Sequence, residues 1–154
     1  MANINDYQKV NTFLLKNNIN SILYGSLGVS VYLGNFKEFS DIDLLVDENF
    51  LKSDWLKLVK IMEDNGFKLV NESEHEFCDQ KITVAFAPKI ILIRDKICNP
   101  ETDIQIHYQN GVKVITLNKE SFIKAYLFSS KDGYRKNKRG KKDLNIVKKL
   151  QNIQ

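Results

Sequence analysis

Asp41 and Asp43 stand two positions apart in an otherwise apolar run, DIDLLVD at 41–47, and fourteen residues separate Asp41 from the Gly25-Ser26 pair that ends a second apolar run, Ile22-Leu23-Tyr24. In a strand the side chains alternate, so Asp41 and Asp43 share one face while Ile42, Leu44 and Val46 occupy the other. Paired carboxylates on an apolar strand repel each other and resist burial unless a cation lies between them. A hard divalent ion such as Mg2+ takes one or two carboxylates and completes its shell with phosphate oxygens. A small-residue turn that opens a helix leaves backbone N–H groups without partners, and an anion can sit there. The stretch from Ser21 to Asp47 therefore sets a phosphate seat beside a metal seat.

Phosphoryl and nucleotidyl transfer ask for little else: the phosphates must be positioned and the developing charge neutralised. Two ions roughly 3.5–4 Å apart can steady both the attacking oxygen and the leaving group. Holding both usually takes a third carboxylate. The first candidate is Asp103, which starts the alternating run DIQIHY and shares its face with Gln105 and His107; Asp79 and Glu76 are the alternatives. If none of them serves, the chemistry is weakened or lost. His107, on the presumed acid face, is a candidate for substrate contact or a strand residue turned to solvent. Tyr134 and Arg135 are candidates for holding phosphate or an acceptor, since a guanidinium matches phosphate oxygens in a fork.

The elements that must position these residues are read from periodicity. Ile4, Tyr7, Val10, Phe13 and Leu14 recur at helical spacing to about residue 17, where Asn17-Asn18 stops them. A strand near 19–24 leads into the Gly25-Ser26 turn and a short helix through Val31, Tyr32 and Leu33 that Gly34 can close. Residues 35–40 form a returning loop. The acidic strand follows, its direction relative to the first left open by the sequence. Ser53 can cap a helix bearing Trp55, Leu58, Val59 and Met62, with Gly66 just past its end. Strand-like text runs through 67–70, 77–87 (broken at 79–81) and 89–94. Residues 103–108 and 112–117 flank Asn110-Gly111, the favoured tight turn, and predict a hairpin. Asn118 can cap a helix with Phe122, Ala125, Tyr126 and Leu127, and Leu144, Val147 and Leu150 predict a last helix after a basic loop.

The 154 residues suit one domain, 1–154, with 118–154 as its C-terminal helices. At 43% hydrophobic and 27% charged, with two prolines, the composition is that of a folded globular chain rather than a disordered one. Apolar runs are far shorter than a membrane span and the N-terminus lacks a secretion pattern, so the expected location is the cytoplasm. Cys78 and Cys98 match no metal or redox spacing. The net charge of +4 is uneven: 131–142 (KDGYRKNKRGKK) holds seven Lys or Arg against one Asp. That block can face a polyanion or simply be a solvated loop.

Gly25-Ser26, a short helix and then Asp41-x-Asp43 on a strand together resemble the active-site signature of the DNA polymerase beta-like nucleotidyltransferase superfamily. The second half, ending in Lys141-Lys142-Asp143-Leu144, more loosely resembles small bacterial members related to antibiotic nucleotidyltransferases and to the minimal nucleotidyltransferases of toxin and antitoxin pairs. The resemblance implies an α/β (α+β) fold: a mixed twisted sheet flanked by helices, with a short C-terminal helical part. It implies Gly25 and Ser26 as contacts of a nucleoside triphosphate, and Asp41 and Asp43, with Asp103 as the expected third acid, as ligands of two Mg2+ ions. The implied activity moves a nucleoside monophosphate to an acceptor hydroxyl of a small molecule, protein or RNA. A homodimer can supply an acceptor wall. The chain departs from the family pattern in one place: the strand Ile82-Thr83-Val84-Ala85-Phe86 carries no acid where the family places its third. That departure motivates a second reading, a binding or antitoxin-like module with weak chemistry and a toxin partner. A third reading is an RNA-binding domain using 131–142, although one aromatic, Tyr134, provides little stacking.

Overall fold

The computed structural model describes residues 2–34, 39–131 and 133–153, of which 133–139 are described as helical backbone only. The first helix, α1 (Ile4–Lys16), starts at Asn3, whose side chain accepts from the backbone N–H of Asn5 and Asp6 while Asp6 accepts from the backbone N–H of Asn3. This reciprocal cap satisfies donors that would otherwise be orphaned at the helix start. Strand β1 (Ile22–Tyr24) leads directly into α2 (Gly25–Leu33), which ends at Gly34 in the left-handed conformation. Strand β2 (Asp41–Val46), a single 3-10 turn (Glu48–Leu51) and α3 (Trp55–Asp64) follow. Asp54 rather than Ser53 precedes α3, and it caps with no side-chain hydrogen bond, because its carboxylate accepts from the Asn49 side chain.

Strands β3 (Lys68–Asn71), β4 (Glu76–Cys78) and β5 (Thr83–Pro88) form the next run, then α4 (Ile90–Arg94), the hairpin β6 (Ile104–Gln109) and β7 (Val112–Leu117), and helices α5 (Lys119–Lys131) and α6 (Gly133–Gln151). The hairpin stands as expected, with Asn110 and Gly111 both at positive φ. Residues 89–94 do not form a strand. The unbroken apolar run Ile90-Ile91-Leu92-Ile93 carries no period to separate helix from strand. Pro88 closes β5, the Lys89 N–H reaches back to the Val46 carbonyl, and the following turn buries only Leu92 while Ile91 and Ile93 stay partly exposed. The backbone is also helical from Gly133, so the basic block is not the loop expected; the Tyr134 and Arg135 side chains and the loop 35–38 lie outside the described residues.

Among the described residues seven strands join one sheet in the order β3-β4-β5-β2-β1-β7-β6. The direction left open by the sequence is antiparallel: β1 runs against β2, with Tyr24 opposite Asp43, while β1 is parallel to β7 and β2 is parallel to β5. Alternation along β2 sends Ile42, Leu44 and Val46 into a core that α1 and α3 cover, and Leu45 into a second core under α4, α5 and α6. Asp41 and Asp43 belong to the second face, at its uncovered end. The helices of that face are anchored by Phe122, fully buried and stacked on Tyr24 at 5.9 Å. Phe122→Ala is expected to lower stability by about 3–5 kcal/mol, the usual cost of emptying a buried aromatic site, and denaturant titration checks it.

Candidate active site

The cleft is built by three adjacent strand ends and one helix start. Because β1 and β2 are antiparallel, the C-terminal end of β1 and the N-terminal end of β2 meet at one edge of the sheet, so the first turn of α2 opens beside Asp41 and Asp43. A cavity of about 350 Å³ there is lined by Gly25, Ser26, Asp41, Asp43, Glu74 and Glu76, with Tyr24, Ala85, Tyr126 and Ser129 among its further walls. The volume lies at the low end for ligand pockets.

Gly25 explains how closely these pieces fit. It has φ +63, a conformation that costs an L side chain, and a Cβ built there would overlap Oδ2 of Asp43 and lie 2.9 Å from its Cγ. The carboxylate thus occupies the space that a glycine alone leaves beside the helix start. Tyr24 precedes α2 without a side-chain cap. The N-terminal end of α2 carries the positive end of its dipole, which suits a phosphate. These residues fit a Mg2+ ion accompanied by phosphates: two carboxylates on one open strand face, seated against backbone, with an anion seat next to them. Among the described residues no three His, Cys, Asp or Glu converge to hold a metal by themselves, so phosphate oxygens would have to complete the shell.

Four of the five residues expected from sequence therefore meet. Asp103 does not. It precedes β6, three strands away from β2 in the sheet order, about 14 Å at the usual strand spacing. Its carboxylate accepts from the Asn99 N–H at 2.8 Å and its carbonyl accepts from the Asn118 N–H, so it ties its own loop together. Asp79 is likewise spent locally, accepting from the N–H groups of Lys81 and Ile82 at 2.7 Å each. Of the three candidates only Glu76 lines the cleft. Asp47, at the other end of β2, pairs with Lys89 at 3.5 Å.

His107 faces neither cleft nor solvent alone. Its ring packs edge-on against Tyr32 at 4.8 Å, and Nε2 lies 2.9 Å from the Thr116 hydroxyl. That hydroxyl donates its one proton to the Leu117 carbonyl, which also accepts from Tyr32, so the imidazole Nε2–H is the donor to Thr116. Burial holds the His107 pKa below its ordinary value of 6.5. The unfolded chain then binds the proton more readily, so stability is full above about pH 6.5 and falls as pH drops from there toward the folded-state value. Melting temperature against pH should show this fall in the wild type and a shallower one in His107→Gln.

No protein-family model matches the chain. Over 144 residues it is 36% identical to the uncharacterized protein YnaI of Bacillus subtilis strain 168, with 90% of each chain aligned. The chain belongs to the YnaI family. Among solved structures it is similar to an antigenic nucleotidyltransferase-like protein from Paracoccidioides brasiliensis (TM-score 0.66, 16% identity, 93% of this chain and 72% of that one). It is similar as well to the lincosamide antibiotic adenylyltransferase LnuA in its lincomycin-bound form (TM-score 0.65, 19% identity, 99% and 100%). A third is ANT(2")-Ia in complex with adenylyl-2"-tobramycin (TM-score 0.64, 13% identity, 94% and 84%). The YnaI-family chain thus has the nucleotidyltransferase fold, a mixed sheet flanked by helices with a C-terminal helical part, as the resemblance implied.

Sequence reasoning missed Glu74, Tyr126 and Ser129. Tyr126 carried the signal of a core helix position, and it is indeed buried, but one turn of α5 brings it and Ser129 to the cleft wall together. No helix among the described residues is long and apolar enough to cross a membrane, and Cys78 and Cys98 are both free thiols.

Proposed function

We propose that this protein is a Mg2+-dependent nucleotidyltransferase that moves a nucleoside monophosphate from a triphosphate to an acceptor hydroxyl. The observation that carries the proposal is the convergence of the α2 start with Asp41 and Asp43 in one cleft. Backbone N–H groups at Gly25 and Ser26 would receive the phosphates and fix the triphosphate along the cleft. Asp41 and Asp43 would hold the cation against it. Bound there, Mg2+ supplies charge neutralisation at the α-phosphate and the departing pyrophosphate. The acceptor oxygen would bond to the α-phosphorus as the bond to the pyrophosphate oxygen breaks, with the hydroxyl proton lost to water, and the protein would contribute positioning rather than covalent help.

The size of the cleft and the neighbours support one class of acceptor. A cavity of about 350 Å³ encloses part of a triphosphate, and an acceptor would lie against its open side, between the β4 edge and the α5 wall of Tyr126 and Ser129. LnuA and ANT(2")-Ia are bound to lincomycin and adenylyl-2"-tobramycin. A hydroxylated small molecule of that kind is the leading acceptor, a protein or an RNA the alternative, and a second copy of the chain a means of closing the wall. The cytoplasm, which holds the triphosphates, is the expected setting.

The second reading, a nucleotide-binding module with little turnover that acts on a protein partner, is favoured by one observation. Thr83 and Ala85 stand in register with Asp41 and Asp43 on the neighbouring strand, where the fold family has an acid. Incubation of the purified protein with α-32P-labelled triphosphates, Mg2+ and panels of hydroxylated antibiotics, RNA and protein separates the two. Label transfer with pyrophosphate release supports the enzyme. Nucleotide binding without transfer supports the module, and neither binding nor transfer overturns both.

A further inference from the structure

We infer that Glu76, on the strand beyond the expected one, supplies the third carboxylate of this site by reaching over Ala85. The inference rests on the metal-dependent reading above and deepens it. Strand register carries it. Asp43 pairs with Ala85 across the parallel β2-β5 ladder, and Ala85 pairs with Glu76 across the antiparallel β5-β4 ladder. Residues paired across a ladder project to the same face, so Asp43, Ala85 and Glu76 form one row on the cleft side of the sheet. All three line the cavity.

Two strand spacings separate the backbones of Asp43 and Glu76, about 10 Å. An aspartate at the middle position would sit beside Asp43 directly. In this chain the middle position holds only a methyl group, and the acid appears one strand further out with one more methylene. A small residue at 85 leaves the path open, and the longer side chain spans it. The neighbouring row shows no such compensation: Asp41 pairs with Thr83, and Thr83 pairs with Cys78. Of the other acids, Asp79 is spent in its turn and Asp103 in its loop, and Glu74, which also lines the cavity, precedes β4 and lies outside the paired row. Among the described residues no three acids converge by themselves, so the role requires the Glu76 side chain to turn over Ala85 toward Asp43 as cations and phosphates bind.

The test counts ions rather than turnover. With a non-hydrolysable α,β-methylene triphosphate present, Mn2+ binding to the full chain is followed by the electron paramagnetic resonance of the free ion. The expected result is two Mn2+ per wild-type chain and one per Glu76→Gln chain, with an unchanged melting temperature. The double variant Glu76→Gln/Ala85→Asp, which moves the carboxylate one strand inward along the same row, is expected to regain the second ion. Two ions retained by Glu76→Gln, one ion only in the wild type, or a folded double variant that stays at one ion would each overturn the role of Glu76 and leave the metal-nucleotide reading standing. A wild-type chain that binds no Mn2+ with the α,β-methylene analogue of ATP, GTP, CTP or UTP overturns that reading itself, and the inference with it.

Discussion

Asp43→Asn is expected to abolish Mg2+-dependent nucleotide binding while leaving the fold intact. The carboxylate lies at the uncovered end of its sheet face, against the backbone of Gly25, and the strand that carries it is held by Ile42, Leu44, Leu45 and Val46, all buried. An amide of the same shape keeps those contacts and removes the charge. Partners that merely orient a metal ligand cost 10–100-fold in affinity when lost, so removal of a ligand itself should cost at least about 100-fold. Isothermal titration with a non-hydrolysable triphosphate in Mg2+ and in EDTA measures this directly, and circular dichroism verifies the fold. Unfolding of Asp43→Asn would mean that the aspartate is structural.

Gly25→Ala is expected to damage both stability and binding, through one added methyl group. The left-handed φ of +63 costs a non-glycine residue about 1–2 kcal/mol. For a domain of this size that corresponds to a fall of about 2–8 °C in melting temperature. The larger effect is local. The new Cβ would fall on the Asp43 carboxylate, with Asp43 Cγ at 2.9 Å and its Cβ at 3.1 Å, and the obstacle is a short side chain fixed to a central strand. Either the α2 start or Asp43 must move, and each movement separates the phosphate seat from the metal seat. Nucleotide affinity in Mg2+ should therefore fall by a factor comparable to that in Asp43→Asn. Ser26→Ala, which keeps the backbone donors, should lose much less. Equal losses in the two glycine-serine variants would show that hydroxyl chemistry rather than close packing sets the site.

The part of the cleft made by four expected residues was legible because it is local. Gly25-Ser26 and Asp41-x-Asp43 lie within one stretch, and strand alternation with the end of a helix suffices to bring them together. Which of Asp103, Asp79 and Glu76 stands near the aspartate pair was not legible, because they can be ranked only once strand order is known. Alternation placed Asp103 correctly at the head of a strand with a polar face. The sheet order then put that strand at the opposite edge, while β4, only three residues long, came within two strands of Asp43. The same non-local pairing hid the role of His107, whose polar strand position is satisfied by Tyr32 and Thr116 rather than by solvent or substrate. Residues 89–94 failed for a different reason: the four apolar residues Ile90, Ile91, Leu92 and Ile93 fit either periodicity, and Pro88 with the Lys89 to Val46 hydrogen bond decided the matter through tertiary structure.

The measurement that bears most directly on the central claim is the binding of non-hydrolysable nucleoside triphosphates to the wild-type chain with and without Mg2+, alongside Asp41→Asn and Asp43→Asn. Saturable binding that requires Mg2+ and disappears in both folded variants is the predicted result. Binding that is indifferent to Mg2+ and to both aspartates, or no binding by the folded wild-type chain, would contradict the assignment of this cleft as a metal-nucleotide site.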